Sequence, residues 1–252
     1  MAIRLNGTTQ AINLGTNLSI LNGAAAASVM SWIRPRIPQA TRGIVSIAIS
    51  PPPTPSSISR VALEIGGVSM SILAIVRNAD IDPGSSLSSA AVLTAGEWQH
   101  IGFSYDCVTK GMFIYRNGVL VASGTATNAT GTAFAATNSK NGALGSGDTA
   151  ADLFFAGDIE DTRIYPFLFG PSLWETLFAT RGKDAISIRN ANQTISSNRW
   201  QMDELGDDQT VVMVPDIMPG VRINGTPVGA PTYIAGISEV PKRKYGRSAG
   251  MF

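Results

Sequence analysis

Between Trp98 and Ser123 apolar and small residues alternate so regularly that the chain has few ways to fold. Ile101, Phe103 and Tyr105 fall on one side of an extended chain and Gly102 and Ser104 on the other, the two-residue period of a strand with one face in a core. A turn through Asp106–Gly111 leads into Met112–Tyr115. Asn117-Gly118, a pair that accepts the positive φ angles of a tight turn, then reverses the chain into Val119–Ala122. Three consecutive antiparallel strands are predicted.

Much of the remaining chain repeats this habit. Ala2–Leu5 and Gln10–Leu14 flank Asn6-Gly7 and predict an opening hairpin. Ser28–Ile33, Gly43–Ile49, Ser59–Ile65 and Ser69–Arg77 are strand-like runs, separated in part by Pro35/Pro38 and Pro51–Pro55, which cannot continue a ladder. Gly124–Asp152 is small, polar and Gly-rich and reads as a long loop region with one short strand near Ala143-Leu144, after which Leu153–Tyr165 returns to strand character. The 26 glycines and 14 prolines, with many Ser, Thr and Asn, are poor material for long helices. One short helix is predicted: Ser172 caps it, Glu175 completes a capping box, Leu173, Trp174, Leu177 and Phe178 form its apolar face, and Gly182 stops it.

Charge and cysteine usage exclude several classes. Of 252 residues 44% are hydrophobic and 15% charged, and Lys+Arg 19 against Asp+Glu 18 leaves a formal charge of +1. That balance suits neither a disordered polyelectrolyte nor a protein that wraps nucleic acid. No apolar run approaches the ~18–20 residues of a spanning helix, so no membrane partner is expected. Met1-Ala2-Ile3-Arg4-Leu5 lacks the basic start and apolar run of a signal peptide, which predicts a chain not exported by that route. Cys107 is the only cysteine, so no intrachain disulfide forms. The segment from Pro215 to Phe252 holds five of the prolines, six of the glycines and an excess of three positive charges, and reads as an extended basic arm (215–252) on a body spanning residues 1–214.

Three stretches carry a family resemblance. Ser28-Val29-Met30-Ser31-Trp32-Ile33 is similar to a strand with a central Trp. Gly96-Glu97-Trp98-Gln99-His100-Ile101 through Asp106, continuing to Phe113-Ile114-Tyr115-Arg116-Asn117-Gly118, resembles a "W-x-H-hydrophobic … Y-x-(D/N)-G" hairpin pair. Phe155-Ala156-Gly157-Asp158-Ile159-Glu160-Asp161-Thr162-Arg163-Ile164-Tyr165, followed by a helix carrying Glu175, resembles "G-x-I-D-D-x-R-I-Y" and the helix after it. In this order they resemble the laminin-G-like, concanavalin A-like jelly rolls of many extracellular and bacteriophage proteins, over roughly residues 1–182. The resemblance implies an all-β fold of two antiparallel sheets face to face. It implies no single activity, because jelly rolls serve as enzymes, lectins and scaffolds.

The chemistry is sparse. Concanavalin-type glucanases carry E-x-D-x-E, which places three carboxylates on one strand face beside the sugar. Asp158 and Glu160 share a face here, but Thr162 stands where the third acid belongs, so Asp158–Arg163 reads as a polar strand face with local ion pairing. His100, the single histidine, lies inside an apparent strand where the resemblance also expects His, and reads as structural. Cys107, three residues from Lys110, has no partner cysteine and reads as inert. Calcium is the one cofactor with candidate ligands, Asp148, Asp152 and Asp158, though without EF-hand-like spacing; no other cofactor is expected. Trp32, Trp98 and Trp174 fall in apparent core positions and read as packing, with Trp200 the fourth tryptophan.

These features lead to a non-enzymatic structural component of a bacteriophage virion, a capsid-decoration or tail-associated protein acting by protein–protein docking. Its expected location is the virion and its expected partners are other virion proteins, in a homo-oligomer or symmetric assembly. Lys242, Arg243, Lys244, Tyr245 and Arg247 on the arm are the candidate partner-binding residues, with Tyr245 as apolar anchor. The alternative is a lectin-like module that binds cell-surface glycans through exposed aromatics.

Overall fold

A computed structural model describes residues 2–16, 18–39, 41–49, 59–66, 70–79, 82–136, 140–147, 152–180, 198–200, 210–211, 213–214 and 224–234. Its strands form two antiparallel sheets. The first runs β10 (Val119–Thr125), β9 (Gly111–Arg116), β8 (Gln99–Asp106), β3 (Ala26–Pro35), β12 (Ala156–Tyr165), β1 (Ala2–Asn6), β15 (Thr232–Ile234), with β13 (Asn198–Trp200) also paired to β12. The second runs β14 (Thr226–Val228), β2 (Ala11–Gly15), β11 (Lys140–Leu144), β4 (Arg42–Ile49), β5 (Ser59–Gly66), β6 (Ser71–Val76), β7 (Ser85–Ala91).

The core lies between the sheets. Ile3, Val29, Ile101, Phe103, Ile114 and Ile159 of the first sheet and Ile12, Val45, Val61, Leu63, Ile72 and Val76 of the second belong to one buried apolar cluster. The alternation that builds it fixes register, since a slip of one residue would turn a strand's apolar set outward. The predicted meander of β8, β9 and β10 is present, with Phe103 opposite Ile114 and Asn117-Gly118 at positive φ in the turn. The predicted strand near Ala143-Leu144 is β11.

Four features depart from the sequence expectations or refine them. The opening hairpin is absent: β1 pairs with β12 and β15, whereas β2 pairs with β11 and β14 in the other sheet. Asn6 Oδ1 accepts bonds from the amides of Thr8, Thr9 and Gln10, so the turn carries the chain across the sandwich rather than back along its own sheet. The helix α1 (Pro171–Thr180) starts at Pro171, and the Gly170 carbonyl accepts from the Leu173 and Trp174 amides, so Gly170 is the cap and Ser172 lies inside the first turn. Strand β7 was not expected, because Ser-Ser-Leu-Ser-Ser-Ala-Ala has no apolar alternation to read. In the segment from Pro215, β14 and β15 each add a strand to one sheet, and Tyr233 is fully buried with its hydroxyl donating to the Met213 carbonyl at 3.3 Å. Gly182 and the arm beyond Ile234 lie outside the described residues.

Helix α1 lies on the outer side of the first sheet. Trp174 is fully buried there, stacked on Tyr115 with ring centroids 4.8 Å apart, its indole N–H donating to Ser104 Oγ at 2.9 Å. Gly102 makes this seat: a Cβ at that position would overlap both the Trp174 ring and the Val29 carbonyl. Gly102→Ala is therefore expected to lower unfolding stability by about 2 kcal/mol through overpacking. Urea denaturation checks this, with an unchanged midpoint as the contrary result.

Candidate functional site

Strand register sorts the outer side of the first sheet into transverse rows. Asp158 of β12 lies opposite Arg34 of β3 and Arg4 of β1; Glu160 lies opposite Trp32, and Trp32 opposite His100. An extra residue at Asp161, whose φ is 49°, bulges β12 so that Arg163 faces Met30 and stays on the outer side. The half of this face near β9 is sealed by α1. The other half carries charge.

The charged row joins residues from several strands. Asp158, fully buried, accepts from Arg4 Nε at 3.1 Å through one oxygen and from Arg34 Nε at 2.7 Å through the other. Side-chain exposure of 42% at Arg4 and 28% at Arg34 leaves both guanidinium groups reachable from solvent. Arg34 also lies over the half-buried Trp98 ring, 5.1 Å from its centroid, a cation–π contact. Arg36, exposed, donates to the Leu5 carbonyl at 2.6 Å, one residue along β1 from Arg4. The arrangement offers planar N–H donors beside an aromatic ring, held in place by one shared carboxylate.

The neighbouring rows are structural. Asp161 and Arg163, both buried, form a bidentate pair at 2.9 and 2.5 Å. Burial works against the Arg163 charge, but the Asp161 carboxylate and Tyr165 outweigh it and raise the guanidinium pKa. His100 packs between Trp32 and Trp174, at 5.1 and 5.8 Å between centroids, and its Nε2 is buried with no hydrogen-bond partner among the described residues. Its ring neighbours among the described residues are the aromatic side chains of Trp32, Trp174 and Phe178. Asp158 and Glu160 do share a face, as their spacing predicts, yet both are buried and Asp158 is committed to two arginines, so these two are not an exposed pair of the kind glycoside chemistry uses.

The other expected residues separate. Cys107 is buried, and burial pushes its thiol up to about 12, against the opposing pull of Lys110. Of the calcium candidates, Asp158 is taken by the arginines, Asp152 is exposed in another loop, and Asp148 lies outside the described residues; no group of three or more His, Cys, Asp or Glu converges among the described residues. Lys242, Arg243, Lys244, Tyr245 and Arg247 also lie outside them, as does the Trp200 side chain. Trp32 and Trp174 are packing residues; Trp98, the residue before β8, is only half buried, with its Nε1 buried and Arg34 over its ring. The Arg4–Asp158–Arg34 alignment was not visible in the sequence because its members are 124 and 154 residues apart.

Burial, reinforced by the Arg163 charge and opposed by Asp161, depresses the His100 pKa to about 3. Above about pH 6.5 the ring is neutral in both folded and unfolded chains and contributes nothing to pH dependence. Between that pH and about 3 only the unfolded chain binds the proton, so stability falls as acid is added. Unfolding measured at pH 6.5 and 4.5 is expected to show a loss roughly 2–3 kcal/mol larger for the native sequence than for His100→Gln. Equal losses would contradict the buried neutral ring.

Comparison with known proteins agrees with this architecture. A heptameric SAP-like pentraxin from Limulus polyphemus superposes with a TM-score of 0.54 at 15% identity, over 72% of this chain and 83% of the pentraxin. The CBM40 of the Ruminococcus gnavus IT-sialidase, bound to α2,3 sialyllactose, gives 0.54 at 16% identity, over 70% of this chain and 95% of the module. A Bacteroides ovatus protein described as carbohydrate binding gives 0.58 at 14% identity, over 93% of this chain and 61% of that one. At such identities the likeness is one of fold. No curated protein sequence matches the chain. The model of the concanavalin A-like lectin/glucanase superfamily named Laminin_G_3 matches residues 6–171, and the chain belongs to that family.

Proposed function

We propose that this protein is a non-catalytic, glycan-binding module whose contact surface is the Arg4–Asp158–Arg34–Trp98 row. The observation that carries the reading is the row itself. A sugar presents hydroxyl oxygens around an apolar ring face, and recognition sites for such ligands combine a few placed polar groups with aromatic surface. Two guanidinium groups fixed by one carboxylate, beside a half-buried indole, supply that mixture on the outer side of the first sheet. The shared fold of a sialidase CBM40 bound to sialyllactose and of a Bacteroides protein described as carbohydrate binding supports the same reading. The burial of Asp158 and Glu160 supports binding without bond cleavage.

The virion reading combines the family resemblance, the lack of catalytic groups and of an export signal in the sequence, and an arm whose candidate docking residues Lys242, Arg243, Lys244, Tyr245 and Arg247 lie outside the described residues, whereas the glycan reading has a surface among the described residues. A broad glycan array probed with the full chain is expected to give signals that Trp98→Ala reduces by about tenfold or more, the scale of losing one aromatic contact with its cation partner. A folded Trp98→Ala protein that retains the full array pattern would remove the row from the account.

A further inference from the structure

We infer that the row selects a carboxylate-bearing sugar, a glycan ending in a sialic or uronic acid; this rests on the glycan-binding reading and narrows it. The argument starts from which polar groups are still unspent. Arg4 and Arg34 each meet Asp158 through Nε alone, and among the described residues their terminal Nη nitrogens make no hydrogen bond. Asp158 is the reverse: both its oxygens are engaged and the side chain is fully buried, so it orients the two arginines and has little left to offer a ligand. What the two arginines leave unspent in the row is therefore a set of N–H donors.

A neutral sugar hydroxyl both donates and accepts, and a surface of donors alone satisfies half of it. A carboxylate only accepts, and its two oxygens match the paired parallel N–H groups of a guanidinium end. Charge points the same way. Within the row Arg4 and Arg34 stand against the single carboxylate of Asp158, so the row itself keeps a positive excess, with the exposed Glu97 and the buried Glu160 beside it. The shared carboxylate also fixes both guanidinium groups before the ligand arrives, which lowers the ordering cost of binding.

The test is an array carrying sialyl- and glucuronyl-terminated glycans, their carboxyl-reduced counterparts and sulfated counterparts, probed with the full chain. Signals are expected on the carboxylated members, lost on reduction and weaker on the sulfated ones, because a sulfate monoester is a far weaker base and hydrogen-bond acceptor than a carboxylate. Arg34→Gln is expected to weaken the carboxylated signals about tenfold, the scale of one charge-assisted hydrogen bond. Arg4→Gln, at the more exposed guanidinium, is expected to act in the same direction; because each change removes an ion-pair partner from the buried Asp158, both variants are expected to melt lower, and circular dichroism at the assay temperature separates loss of contact from loss of fold. Equal signals on the reduced glycans, or stronger ones on the sulfated glycans, would overturn the carboxylate preference and leave the glycan-binding reading in place. A blank array would overturn both.

Discussion

Everything on the outer side of the first sheet depends on the burial of alternate residues between the two sheets. Ile3, Val29, Ile33, Ile101 and Phe103 point into the common core, and their burial commits Arg4, Met30, Trp32, Arg34 and His100 to the opposite side. That outer side then has two physical solutions. Near β9 it is apolar and must be covered, which Trp174 and helix α1 accomplish. Near β1 it is charged, and Arg4 and Arg34 keep part of their side chains in reach of water.

Polar detail is distributed to suit that division. Under the helix connection, small hydroxyl groups close the gaps: Ser28 and Ser104 lie 3.0 Å apart, and Ser28 accepts from the Phe169 amide while donating to the Phe167 carbonyl. In the next row Asp161 and Arg163 neutralise one another in a buried bidentate pair, a stable arrangement only because both partners are present. In the open row one acid is shared between two bases, and the surplus is positive. The same strand thus carries a closed ion pair and an open one three to five residues apart, and the bulge at Asp161 keeps both on one face.

Local pattern made some of this legible in the sequence. The β8–β9–β10 meander was readable because strict alternation and an Asn-Gly turn lie within one short stretch, and α1 was readable from Leu173, Trp174, Leu177 and Phe178. Pairing between distant strands was not. The Asn6-Gly7 turn has the same local chemistry whether it closes a hairpin or crosses between sheets, and only the partners of β1 and β2 decide which. Strand β7 is held by its neighbour β6 and has no alternation of its own, and the Asp161 bulge leaves the residue pattern of β12 unchanged. The candidate site was hidden for the same reason: Arg4, Arg34, Trp98 and Asp158 each look like ordinary surface or strand residues until three long-range pairings align them.

The central claim is that the charged end of this sheet face, and not the helix-covered end, meets the ligand. Nitrogen-15 spectra of the full chain, titrated with a glycan that it binds, report the two ends separately through the indole N–H of Trp98 and Trp174 and the Nε–H of Arg34. The account predicts that the Trp98 and Arg34 signals move in step with saturation while the Trp174 signal, bonded to Ser104 in the sealed half, stays in place. Movement confined to Trp174, or to residues of the second sheet with Trp98 and Arg34 unchanged, would contradict it.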